Sequence, residues 1–369
     1  MNKILRNLVL ILFSIIAALL VAEGISRVLF DPIDFLKPKR VSDRILRYRI
    51  EPGTGAHDSL GFRNSLVPET ADVVAIGDSH TYGISATATD SWPSQLERLT
   101  GYKVYNLSLG GYGPAEYLYL MEEYAVRFHP KIIIAGFYLG NDLVDSVRAV
   151  YNVPVWKDFR RPGSVLSEEG VTAADEKFSY TIGDWLPGHS VLYRLVSSSF
   201  VGDSLRQRRR LKRGEEIVMY ENEDIGINTG FTPDERLEGL DLGRPEVREG
   251  LELSLEFFRR MSELAVRNNI EFLVVMIPTK ESVFKDYIEG NKGLPSSREI
   301  DELIENEHEV NKIVKSFFHT NGIDYVDTLE PLSNRAGKEQ LYPNNFGGHT
   351  NKNGYRIIAE SVKNNLGNN

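Results

Sequence analysis

Five short apolar segments recur along the chain: Asp72 to Ile76, Tyr102 to Leu107, Lys131 to Tyr138, Ile270 to Ile277 and Ile323 to Val326. Stretches of helical period separate them: Trp92 to Leu99, Ala115 to Phe128, Glu249 to Asn268 and Glu299 to His319, with a last one from about Asn353 to Asn364. The stretch from Glu249 shows the period best, with Leu251, Leu255, Phe258, Met261, Leu264 and Ala265 three and four residues apart. A strand that runs the same way as its predecessor needs a long crossover, and these helices supply it. The alternation therefore predicts an α/β chain built on a parallel sheet. Its 369 residues, 41% hydrophobic and 26% charged, suffice for one large domain or two modest ones with a real core.

The order fails between Val147 and about Pro245, a segment with Trp156, Trp185 and several Gly and Pro but no repeat. It is too long for a crossover and reads as an insertion, placed at residues 147–248. Within it the run Arg206-Gln207-Arg208-Arg209-Arg210-Leu211-Lys212-Arg213 could meet an anionic polymer or lipid head groups. Balanced by Glu215, Glu216, Glu221 and Glu223, it reads first as a solvated helix face. The remaining boundaries follow: residues 1–31 an apolar N-terminal segment, 32–68 a linker and lead-in, 69–146 and 249–369 the two halves of the core.

At the N-terminus Lys3 and Arg6 precede the apolar run Leu8 to Ala22, which Ser14 alone interrupts. About 15 clean apolar residues suit a signal-peptide core, while a span needs roughly 20. Ile25 to Phe30 is again mostly apolar, so the helix can continue past Glu23 and Arg27. Ala22-Glu23-Gly24 is a small-x-small cleavage pattern with a charge inside it, and an uncleaved anchor is the preferred reading. In either case the basic flank stays cytoplasmic and the rest lies outside the cytoplasm, periplasmic or on the cell surface. A net charge of −9 argues against nucleic acid as a partner. The absence of cysteine excludes disulfides, thiolate catalysis and Cys-ligated zinc.

Four segments at or near predicted strand ends carry polar chemistry. Val73-Val74-Ala75-Ile76-Gly77-Asp78-Ser79 ends a strand in a turn that lifts Ser79 to its carboxyl end, where open parallel sheets keep their sites. Asn106-Leu107-Ser108-Leu109-Gly110-Gly111 is a Gly-rich turn whose backbone N–H groups can approach a substrate. Gly140-Asn141-Asp142 offers an amide donor, and Gly347-Gly348-His349-Thr350-Asn351 brings an imidazole late in the chain. Each segment alone is an ordinary turn or N-cap. Together they hold the parts for acyl transfer. Ser79 is the nucleophile, His349 the base, and the Ser79 and Gly111 N–H groups with the Asn141 side chain are donors for an oxyanion. His80 is expected to shape the pocket or the first helical turn, and His129 to be structural or exposed. No cluster has metal-ligand spacing, so neither metal nor cofactor is expected.

On these four blocks the chain resembles the SGNH hydrolases, the set that contains the GDSL-type esterases, in a membrane-anchored bacterial form. The family blocks fall on Gly77-Asp78-Ser79, on Asn106 with Gly111, on Gly140-Asn141-Asp142 and on His349; Asp58-Ser59-Leu60-Gly61-Phe62-Arg63-Asn64 resembles the lead-in of anchored members. The resemblance covers roughly residues 58–145 and 265–365. It implies a three-layer α/β/α sandwich with a flavodoxin-like five-stranded parallel sheet. The chain departs from the pattern at the triad acid: the positions two and three before His349 are Gly347 and Phe346. A dyad with a backbone carbonyl on the far imidazole nitrogen, or help from Asp327 or Glu330, are the alternatives.

The resemblance and the export signal imply a serine esterase acting through an acyl-enzyme on an acyl group, an acetyl among the candidates, of an extracytoplasmic carbohydrate or envelope polymer. Two rivals stand beside it. One is an O-acyltransferase that passes the acyl group to a sugar hydroxyl, for which Ile277-Pro278-Thr279-Lys280-Glu281 resembles a segment of such relatives. The other is a non-catalytic polymer-binding or assembly subunit, favoured by the missing acid and by Trp156 and Trp185.

Overall fold

The computed structural model describes residues 3–164, 166, 181–197, 218–222, 227–289, 294, 297–345 and 347–367. The five apolar segments form one parallel sheet: β1 (Val73–Gly77), β2 (Val104–Ser108), β3 (Ile132–Tyr138), β4 (Glu271–Ile277) and β5 (Asp324–Asp327). Their order is β2-β1-β3-β4-β5, flavodoxin-like. β1 is thus an interior strand, with Gly77 opposite Ser108 on β2 and Ile76 opposite Ala135 on β3. Helices cover both faces and make three layers. Val74 and Ile76 face α3 (Pro114–Glu123), α4 (Asp142–Asn152) and α5 (Pro245–Arg267), while Val73 and Ala75 face α2 (Trp92–Thr100) and α7 (Lys352–Leu366). β1 and β3, buried along their whole length, read as continuous apolar runs, whereas β5 at the sheet edge carries Asp324 and Asp327.

Boundaries shift where local chemistry intervenes. The expected helix Ala115 to Phe128 is α3 followed by a short 3-10 turn, Ala125–Phe128. His129 at φ 48° ends it, since the residue before Pro130 cannot stay helical. α5 begins four residues early at Pro245, a favoured first helical residue. α6 (Arg298–Asn321) starts on the Ser297 cap, whose Oγ accepts from the Ile300 N–H.

Residues 32–68 are not a free linker. They carry the short helix Pro32–Phe35 and the hairpin Arg40–Ser42/Tyr48–Ile50. Tyr48, Ile50 and Phe62 are buried with the first core cluster. The apolar residues are too few and too scattered to show a period, so only packing reveals the segment.

Described parts of the insertion also belong to the core. Trp156 is buried, with its ring 5.8 Å from both Phe159 and Phe257, so it is a packing residue and offers no ligand surface. The hairpin Val218–Asn222/Ile227–Phe231 and the helix Pro233–Leu240 lie near the carboxyl end of the chain in space, with the Gly230 N–H donating to Asn345 O at 3.1 Å. The basic run Arg206 to Arg213 lies outside the described residues.

α4 and α5 cross at Gly250, where an added Cβ would sit 2.2 Å from the Leu143 carbonyl oxygen. Buried Ser146 and Ser254 hydroxyls meet at 2.9 Å beside it. Gly250→Ala gains about 1 kcal/mol in helix propensity. Overpacking against backbone costs more, so a net loss of about 2 kcal/mol is expected in urea unfolding.

Candidate active site

β1 ends at Gly77, and Asp78 caps the one-turn helix Ser79–Tyr82 by accepting from the His80 N–H at 2.8 Å. The Thr81 side chain folds back over the strand ends: a Cβ at Gly77 or Gly136 would lie 2.1 or 2.3 Å from Thr81 Oγ1. Glycine is therefore required at both. This tight turn sets Ser79 at the carboxyl end of β1.

His349 arrives from the far end of the chain. Asn351 caps α7, with its Oδ1 accepting from the Asn353 N–H at 2.8 Å, and Thr350 Oγ1 donates to Leu341 O at 2.5 Å. Between these fixtures His349 Nε2 stands 2.7 Å from Ser79 Oγ. Burial, with the nearby charges of Arg236 and Lys280, holds the His349 imidazole down to about 4. It is therefore neutral near pH 7 and able to accept a proton.

No acid completes a triad among the described residues. Asp327 pairs with Lys315 and accepts from the Leu329 N–H at 2.9 Å, and Glu330 is exposed. Phe346 lies outside the described residues, and no described residue hydrogen-bonds His349 Nδ1. The ring packs against a tilted neighbouring ring instead. His80 lies 4.6 Å from His349 and 3.9 Å from Tyr138, ring centre to ring centre. Both His80 nitrogens are buried without a partner, and burial pushes its imidazole well below the ordinary value. His80 thus lines the site, and its neutral ring serves as a flat support.

Two cations stand beside the histidine loop, and Lys280 holds it. Fully buried Lys280 donates through Nζ to the carbonyls of Gly347 at 3.0 Å and Gly230, and to Thr229 Oγ1 at 3.1 Å. Burial pulls its ammonium down to about 7, Glu281 working against that and Arg236 with it. Arg236, from the insertion, forks onto Glu281 with Nε to Oε2 at 3.1 Å and Nη2 to Oε1 at 2.5 Å. Sequence reading noted Lys280 only within a resembling segment and missed Arg236, because nothing local marks a side chain that acts across the fold.

The oxyanion candidates flank the serine on both neighbouring strands. Gly111 follows β2 at φ 83°, a left-handed conformation that suits glycine. A Cβ on Gly110 would be 3.3 Å from Ser79 Cβ, so this loop abuts the serine. Arg47 and Tyr48, from the segment expected as linker, grip it: Arg47 Nη2 donates to Gly111 O and the Tyr48 hydroxyl to Gly110 O. Arg47 Nε also pairs with buried Glu116 at 2.7 Å. Asn106 Nδ2 donates to Thr81 O at 2.9 Å and ties β2 to the serine helix. Asn141 follows β3 and opens α4; its Nδ2 donates to Asp145 Oδ2 at 2.7 Å, while its Oδ1 is buried without a partner. Asp145 thus occupies one N–H of that amide and leaves the other.

Arg47→Met should release the Gly110–Gly111 loop and strand Glu116. Loss of about 2–3 kcal/mol in chemical denaturation is expected, the low end for a broken buried pair because Glu116 can take up a proton. If the loop supplies oxyanion donors, kcat for an ester falls more than KM changes.

Asp78 completes the electrostatics. It is fully buried, its carboxyl pushed up to about 7 chiefly by burial, with Asp145 adding to the rise. Ser79 Oγ lies 3.2 Å from Asp78 Oδ2 as well as beside His349, so two acceptors compete for one hydroxyl proton. Among the described residues no group of three or more His, Asp or Glu is placed to hold a metal ion.

Fold and site together define an α/β chain with a half-buried serine–histidine pair at the carboxyl edge of a β2-β1-β3-β4-β5 sheet, the arrangement that the resemblance to SGNH hydrolases implies. No family model and no curated protein matches the chain. Similar solved structures include an extracellular lipase from Streptomyces rimosus at 11% identity, covering 80% of this chain and 99% of that one, TM-score 0.42. A catalytic mutant of an acetylxylan esterase from Geobacillus stearothermophilus matches at 11% over 82% and 96%, TM-score 0.39. A GDSL-like lipase from Bacteroides thetaiotaomicron matches at 12% over 80% and 87%, TM-score 0.38.

Proposed function

We propose that the protein is a serine ester hydrolase of the SGNH type. The observation that carries this reading is the 2.7 Å approach of His349 Nε2 to Ser79 Oγ at the strand end, with the Gly111 and Asn141 blocks on either side. Ser79 Oγ attacks the ester carbonyl carbon while its proton passes to His349 Nε2. The Ser79 and Gly111 N–H groups and the free N–H of Asn141 receive the developing oxyanion. The imidazolium then protonates the departing alkoxide as the ester C–O bond breaks. Water, deprotonated by His349, releases the acid and restores Ser79.

The proposed substrate is an acyl ester on an extracytoplasmic carbohydrate or envelope polymer. What supports it is the apolar helix α1 (Lys3–Leu29), unburied along its apolar stretch: if α1 crosses the membrane with its basic flank inside, the site faces out. An uncleaved anchor is supported by Glu23. Its carboxylate accepts from Ser190 Oγ at 2.8 Å and from the Val191 and Leu192 N–H groups at 3.0 Å each. Cleavage after Gly24 would strip that cap from the helix Val191–Ser197.

The test is a fluorophosphonate label followed by peptide mapping, alongside turnover of p-nitrophenyl acetate with and without an oligosaccharide. Label on Ser79 with acid release supports the hydrolase. Acyl groups diverted to the sugar would make it a transferase, and an unlabelled Ser79 without turnover would leave a binding subunit.

A further inference from the structure

Large apolar side chains on a described surface need a partner when they are contiguous and attached to something already apolar. The insertion helices Ile182–His189 and Val191–Ser197 meet that condition. Ile182, Trp185 and Leu186 sit at helical spacing on one face and are 96%, 56% and 46% exposed. Tyr193 and Val196 continue the apolar surface at 40% and 62%.

These helices are bolted to the end of α1. Besides the Glu23 cap, Arg27 Nη2 donates to His189 O at 2.5 Å, Lys37 Nζ pairs with Asp184 at 2.6 Å, and Arg194 Nε donates to Phe35 O at 2.7 Å. Twenty-seven residues make α1 about 40 Å long against a hydrocarbon core of about 30 Å. A span beginning near Ile4 therefore leaves the core near Glu23, and the last two turns lie at head-group depth. Exposed Val28 and Leu29 continue the apolar surface there.

We propose that Ile182 to Ser197 is an interfacial platform that lies on the same bilayer α1 enters, with Ile182, Trp185, Leu186, Tyr193 and Val196 in the acyl-chain boundary. Short helices with one apolar face and aromatic residues at head-group depth have the chemistry of such a surface. The polar faces are used inward, against Glu23 and Lys37, which leaves the apolar faces for lipid. The platform would fix the height and tilt of the sheet above the membrane. The inference rests on the reading of α1 as an anchor and is independent of the ester chemistry.

Tryptophan fluorescence tests it directly. The chain has three tryptophans; Trp92 and Trp156 are buried and Trp185 alone is exposed. The full-length protein is reconstituted into phosphatidylcholine vesicles with bromine on the acyl chains near the ester end, beside Trp185→Phe. Wild type is expected to lose emission that the variant does not, and aqueous iodide should fail to quench that component. Trp185 open to iodide and untouched by bromine overturns the platform, as does protection from both, which would mean that protein such as a second copy covers it. Vesicle flotation separates the two readings: protein that floats without bromine quenching sinks the platform alone, and protein that does not float sinks the anchor too.

Discussion

Ser79→Ala is expected to lower ester turnover on the order of 10⁴–10⁶-fold, and His349→Ala by a similar factor. The two groups act as one device: the hydroxyl is a nucleophile only while the imidazole takes its proton. The double variant should therefore be hardly slower than either single one. Residual rate above buffer would come from oxyanion donors and binding. Because no described carboxylate partners His349, replacing Asp327 or Glu330 by alanine should leave kcat within a factor of about two, since neither reaches the reacting atoms. Single-turnover kinetics with p-nitrophenyl acetate measure all of these. Loss of activity in Asp327→Ala with an unchanged unfolding curve would mean that an acid does serve His349.

The second large effect is in the pH profile. His349 must be neutral to accept the serine proton, and its imidazole is held down to about 4. Activity is therefore retained well below the ordinary histidine range and lost as pH falls through about 4. On the alkaline side, Asp78 must be neutral. Its ionised form would draw the Ser79 proton from His349 and place negative charge beside the developing oxyanion. With Asp78 at about 7 and Lys280 losing a donor proton near the same pH, activity is expected to fall as pH rises through about 7. Asp78→Asn keeps the cap and removes the carboxylate, so it should move the alkaline limb upward, with the remaining limb belonging to Lys280. Stability gives an independent check with its own sign. A carboxyl raised from 3.8 to about 7 by burial contributes stability that is present at low pH and lost as pH rises through that window. Asp78→Asn should accordingly stabilise the fold at pH 8 relative to wild type and make little difference at pH 4. A flat rate from pH 5 to 9 in wild type would remove both groups from the account.

Much of this was readable in the sequence, for reasons that differ by element. β1, β3 and β4 from Leu273 onward are apolar because both faces are covered, and Gly77-Asp78-Ser79 is a turn whose residues announce their backbone needs. Their placement beside His349 followed from four blocks in a fixed order. Arg47, Lys280 and Arg236 were not readable as site residues. Their role lies in what they touch: the Gly111 loop is 64 residues from Arg47, and the Gly347 loop is 67 residues from Lys280. His80 reads in sequence as a pocket or turn residue, and its ring contact with His349 depends on a side chain that arrives 269 positions later, from His80 to His349. Trp185 and Trp156 looked alike in sequence, and only packing separates the exposed one from the buried one.

The pairing of Gly77 with Ser108 and of Ile76 with Ala135 has a consequence for how such a chain can vary. A strand rises about 3.3 Å per residue, so one added or deleted residue in β1 would carry Ser79 past its donors by more than a hydrogen-bond length. The same slip would turn every side chain of the strand to the wrong layer. Length changes are thus barred from β1, β2 and β3 and are best tolerated between Asn152, where α4 ends, and Pro245, where α5 begins. The sheet acts as a ruler for the reacting atoms, and novelty in the chain has had to enter at its margins.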